Sequence, residues 1–161
     1  MRQARYAHSS CVLKGQLYVF GGLSERSYLG TIEFLDLRVG QVFKWVSFTF
    51  PLFEPRWNTA VAPISASEIA ILGGRHEGGF QNEVLILNTL TREMTRAINH
   101  TQIRFDCESP AMMVRSGEVI ALVDNLKDVC LIKYQRATNT ITIEQVITFS
   151  QTMQNFVLGS C

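Results

Sequence analysis

LYVFGGLSERSYL, residues 17–29, runs an apolar stretch into a pair of glycines, and IAILGGRHEGGF, residues 69–80, does so again. Gly21 and Gly73 stand 52 positions apart. A strand that stops on two glycines marks backbone with φ angles other residues resist, or a place where a second backbone comes close. Its recurrence at such an interval makes the pair the marker of a repeated unit rather than a lone ligand-binding turn.

Other positions fall into step around it. Arg5 and Arg56 are 51 apart, and the interval from the second glycine to the next acid or amide is 14 in both copies, Gly22 to Asp36 and Gly74 to Asn88. A third copy is weaker. EVIALV (118–123) runs into Asp124-Asn125, 51 residues after Gly73-Gly74, and Gln135 stands where Asp36 and Asn88 stood. Asp and Asn are among the few side chains that tolerate left-handed φ.

Between the markers lie short runs rich in Val, Ile, Phe, Tyr and Thr, which suit a pleated, half-buried surface. They are 16–20, 31–37 and 42–50, then 68–72 and 83–87, then 118–123, 129–134 and 140–147. No window of a dozen residues carries a helical period. The chain reads as all-β, one domain over residues 1–161.

A period near 50 is that of the kelch repeat. RYAHSSCVLKGQLYVFGG (5–22) resembles the start of a kelch motif: an arginine, a histidine three residues on, two strands and the glycine pair. The resemblance covers roughly 5–149 and fades along the chain. The arginine position reads Arg5, Arg56 and Asp106, and the histidine position reads His8, Thr59 and Ser109. The tryptophan that follows the acid appears as Trp45, nine residues after Asp36; Met94 and Ile141 stand six after Asn88 and Gln135. Trp57, directly after Arg56, is a second ring at the blade boundary.

The resemblance implies a partial kelch-like β-propeller of about three four-stranded antiparallel blades, at about 5–53, 54–104 and 105–149. Propellers close with roughly 4 to 8 blades. Three would leave an apolar face bare at each end, which predicts association. Three accounts stand open: a homodimer of two half-rings, a piece of a larger propeller, or an arc bent around something else. Residues 150–161 read as a tail, a closing strand or the start of a fourth blade.

Composition bounds the partner. Charged residues make up 18% of the chain, against about 25% in ordinary globular domains, so some surface is expected to meet another protein. A net charge of +1 without a basic run does not favour nucleic acid. No apolar run reaches the roughly 18 residues of a membrane-spanning helix, and MRQARYAHSS lacks a signal-peptide apolar region, so a cytoplasmic protein away from membranes is expected. Cys11, Cys107, Cys130 and Cys161 form no C-x-x-C pair and read as reduced thiols rather than metal ligands.

Nucleophile-elbow, zinc-protease and phosphate-loop motifs are absent from the sequence, and no catalytic residue, metal or cofactor is expected. His8 reads as a structural residue at the blade start. The glycine-rich stretch 73–79 lacks the lysine and helix of a phosphate cradle. Repeat scaffolds carry function on loops, and two long loops follow the glycine pairs. The candidate partner-binding residues are Arg26 and Tyr28 in the first and Arg75, His76, Glu77 and Phe80 in the second. Kelch-like proteins commonly make cytoskeletal contacts or receive substrates for ubiquitin ligases, so the resemblance implies a non-catalytic scaffold for another protein. No BTB-, BACK- or F-box-type domain is expected within the 161 residues, so in such a machine another chain is expected to supply it. The alternative is a fragment of a kelch-like enzyme resembling galactose oxidase or a sialic-acid epimerase.

Overall fold

The structure is a computed structural model that describes residues 1–40, 42–48, 52, 54–99, 112–123 and 128–148. Every described element is a strand, and no described helix is long and apolar enough to cross a membrane.

Strands β1 (Ser9–Leu13), β2 (Gln16–Phe20), β3 (Ile32–Asp36) and β4 (Trp45–Ser47) form one antiparallel sheet in chain order, blade 1. Blade 2 is built from β5 (Ala60–Pro63), β6 (Glu68–Leu72), β9 (Val84–Asn88) and β10 (Glu93–Asn99), with β7 (Arg75–His76) and β8 (Gly79–Phe80) as a small hairpin in its loop. Blade 3 is β11 (Met112–Arg115), β12 (Glu118–Val123), β13 (Asp128–Gln135) and β14 (Thr140–Thr148). Blades 2 and 3 join at their outer edges, where β10 and β14 pair in parallel (Ile98 with Thr140, Asn99 with Ile141). The resulting eight-stranded sheet doubles back, so its two end strands, β5 and β11, lie side by side, and β1 lies on the other side of β5. These first strands line the axis of a partial propeller.

The alternation of side chains along a strand explains why the inner strands of blade 2, β5, β6 and β9, are apolar on both faces. Val61, Ile69, Ile71, Leu85 and Leu87 face blade 1, packing with Leu13, Tyr18, Phe20 and Ile32. Ala60, Ala62, Ala70, Leu72, Val84 and Ile86 face blade 3, packing with Val119, Ala121, Cys130 and Ile132. A sheet buried on both faces cannot alternate apolar and polar residues, and each fully buried Ile or Leu contributes about 1.5–3 kcal/mol.

Several sequence expectations change. The first-blade strand expected over 42–50 is described only as Trp45–Ser47, and three further strands, Ala60–Pro63, Glu93–Asn99 and Met112–Arg115, carry no strong strand signal. Ala60–Pro63 holds two alanines and a proline yet forms an axial strand, because burial between two neighbours outweighs propensity. Asp106, Ser109, Cys107, Asp124-Asn125 and 150–161 lie outside the described residues.

Trp45 keeps the orientation of its repeat position. Residues at the tryptophan position point towards the preceding blade: Met94 packs on the cluster shared with blade 1, and Ile141 on the cluster shared with blade 2. Trp45 pairs with Leu35 across β3 and β4, so it sits on the face of blade 1 turned away from blade 2. Between blades 1 and 2, Phe34 and Phe48, with ring centroids 5.6 Å apart, pack with Met94 against the shared cluster.

Candidate interaction surface at the glycine-pair loops

Both glycine pairs sit in left-handed backbone, at φ 57° and 99° for Gly21 and Gly22 and 57° and 96° for Gly73 and Gly74. Space is as decisive as φ. A Cβ on Gly21 would lie 2.1 Å from the Arg56 carbonyl oxygen, and the Gly22 amide donates to that same oxygen at 2.9 Å. The pair is where blade 1 receives the segment leading into blade 2.

The arginine markers clamp this junction. Arg5 Nη1 donates to the Gly21 carbonyl at 2.8 Å, while Nη2 meets Thr31 Oγ1 at 3.0 Å and the Glu33 carboxylate. Arg56 repeats the arrangement, with Nη1 on the Gly73 carbonyl at 3.3 Å and Nη2 on Glu83 Oε2 at 3.0 Å. The acids were missed in the sequence, although Glu33 and Glu83 stand 50 apart and keep the period. Asp36 and Asn88 share a local role at the ends of the third strands. Asp36 Oδ1 accepts from the Arg38 amide at 3.0 Å, and Asn88 Oδ1 from the Leu90 and Thr91 amides at 3.0 and 3.1 Å. The Arg38 side chain also holds the Asp36 carboxyl well below the usual range. His8 packs against Gly22, and burial, then Arg5, lowers its pKa. Burial pushes the Cys11 thiol up to about 12.

Above these junctions the two long loops meet through Trp57. Its ring stacks on Tyr28, with centroids 4.8 Å apart and planes within 11°. Its backbone pairs with Arg75 in both directions, at 3.0 and 2.8 Å. The Arg75 guanidinium lies 4.2 Å from the Phe80 ring centroid, a cation–π contact of about 0.5–1 kcal/mol at an exposed site. Tyr28, Trp57, Arg75 and Phe80 thus form one strip across two blades, with Tyr28 43% and Phe80 36% exposed. The small β7–β8 hairpin sets Arg75 opposite Phe80 in the second loop.

The other candidates stand apart. Arg26 is exposed beside a cleft it lines with Tyr6, Ser24 and Ser27. His76 Nδ1 accepts from the Gly78 amide at 3.2 Å and so holds its own turn. Glu77 is exposed. Among the described residues, no three His, Cys, Asp or Glu side chains gather as metal ligands.

Residues 4–42 match the kelch motif. No curated protein matches the chain. The matched residues hold the first three strands of blade 1, and the arginine and glycine pair of the motif recur in blade 2.

Proposed function

We propose that the chain is a non-catalytic protein-interaction scaffold of the cytoplasm whose glycine-pair loops hold the partner. The observation that carries this reading is the Tyr28–Trp57–Arg75–Phe80 strip. Aromatic residues and arginine are the favoured anchors of protein interfaces, and here they are held by backbone pairing rather than left on mobile loops. Ordering them costs little entropy on binding. A cytoskeletal protein or a ubiquitin-ligase substrate is the partner class the kelch match brings.

The same reading includes completion of the ring. The face of blade 1 turned away from blade 2 carries Val12, Leu17, Leu35 and Trp45, one cross-strand row. The corresponding row of blade 2 includes Ile69, Leu87 and Met94, which pack on blade 1. The blade 1 row has the composition of a blade contact, so a preceding blade, from a second copy or a longer propeller, belongs there.

The test replaces Arg75 and Phe80 together by Ala. The expected result is loss of partner capture by immobilised protein, with stability lowered by no more than the roughly 1 kcal/mol of the cation–π contact. Equal recovery by the double variant and the parent would refute the assignment of the strip.

A further inference from the structure

At the opposite end of the sheets, where the short turns lie, blades 1 and 2 part to leave a crevice of about 300 Å³, at the lower end of the range for small-ligand sites. Phe34, Phe48 and the almost fully buried Tyr18 line it beside Gln16 and Thr89. Tyr18 lies 5.8 Å from Phe34 and 6.2 Å from Phe48, ring centroid to centroid. Tyr18 is 3% exposed, and its hydroxyl donates to Gln16 Oε1 at 2.7 Å. The rim is cationic, formed by Lys14, Arg38 and Arg92. Arg38 is paired with Asp36. Among the described residues, Lys14 and Arg92 have no carboxylate partner.

The next crevice provides an internal comparison. Between blades 2 and 3, Glu68 occupies the repeat position of Gln16 and binds the guanidinium of Arg136. The second crevice is therefore charge-neutral at its mouth. In the first, an amide replaces the acid and two cations remain uncompensated.

Backbone conformation separates these cations from ordinary surface charge. Lys14 has φ +50° and Arg92 φ +60°, left-handed positions that cost an L-residue roughly 1–2 kcal/mol. In the turns that correspond to Arg92, blade 1 has Gly40 and blade 3 has Asn139, both at positive φ. Those are the residues such turns favour. Blade 2 places an arginine there, and the β1–β2 turn places a lysine before Gly15. Sequence choices that go against local backbone preference cluster at functional sites.

We propose that this crevice binds an aromatic phosphate, its ring laid against the half-buried Phe34 and Phe48 and its dianion between Lys14 and Arg92. A phosphate matches two uncompensated cations in charge, and arginine offers it paired donors. The phosphate reaches the site either on a free aryl ester or on a phosphotyrosine side chain.

Titration of the whole protein by calorimetry with phenyl phosphate, inorganic phosphate and a phosphotyrosine peptide tests this. Phenyl phosphate is expected to bind saturably, at least about tenfold tighter than inorganic phosphate. Lys14→Asn and Arg92→Gly are each expected to weaken it about fivefold or more while leaving the unfolding midpoint equal or higher, because the new residues suit left-handed φ. A peptide binding tighter than phenyl phosphate assigns the phosphate to a protein partner; equal affinities assign it to a small ester. No saturable binding up to about 10 mM, inorganic phosphate binding as well as phenyl phosphate, or unchanged affinity in both folded variants would overturn the proposal.

Discussion

Arg5→Met gives the sharpest test of how the blades are locked together. The Arg5 side chain is 0% exposed and that of Glu33 2%. Removing the guanidinium leaves Glu33 a buried carboxylate whose remaining donor is the Arg2 amide at 2.7 Å. Breaking a buried pair from one side costs about 3–5 kcal/mol, because the surviving charge is uncompensated. Arg56→Met removes an equally buried arginine, but Glu83 is 28% exposed and keeps Arg96 at 2.8 Å. The expected cost there is smaller, about 1–3 kcal/mol, for the buried carbonyl partner left unpaired. With a urea slope of about 2 kcal/mol/M, Arg5→Met lowers the midpoint by about 2 M, and Arg56→Met by about 1 M. Adding Glu33→Gln to Arg5→Met should restore about 1–3 kcal/mol, the coupling range of contacting residues. Tryptophan fluorescence during urea titration reads all of these. Arg5→Met costing less than about 1 kcal/mol, or no more than Arg56→Met, would refute the reasoning, since Glu33 would then not be a stranded charge.

Two further outcomes follow from backbone and face geometry. Ala7 has φ +51° and Asn58, its repeat partner, φ +50°; Ala7→Gly should raise the melting temperature by a few degrees, about 1 kcal/mol, where an alanine-to-glycine change ordinarily lowers it, and a lower melting temperature contradicts the left-handed assignment. Leu35 and Leu87 occupy the same repeat position, one on the open face of blade 1 and one 0% exposed against it; Leu87→Glu should unfold the protein, whereas Leu35→Glu should leave it folded and reduce an associated native mass to that of one chain, and a parent already at the mass of one chain at micromolar concentration would defeat the open-face reading.

The strands legible in the sequence are those whose own residues state their environment. EIAIL and the 16–20 run coincide with β6 and β2 because β-branched and aromatic residues have few other uses at that density. Ala60–Pro63 was not legible, since its reason for being a strand is the pair of blades on either side of it. Among the candidate loop residues, the sequence singled out Tyr28, Arg75 and Phe80. It did not show that Trp57 joins them, because that contact brings together segments 29 residues apart, Tyr28 to Trp57.

The sequence by itself determined the repeat, the all-β character and the sites of the sharp turns. Each of these is a demand of local backbone, and a glycine pair or an Asx turn is written where it is used. Tertiary structure decided which face of each blade meets a neighbour, that Glu33 and Glu83 answer the two arginines, and that Lys14 and Arg92 flank one crevice. Those relations depend on how two sheets twist against each other, and no single segment carries that information.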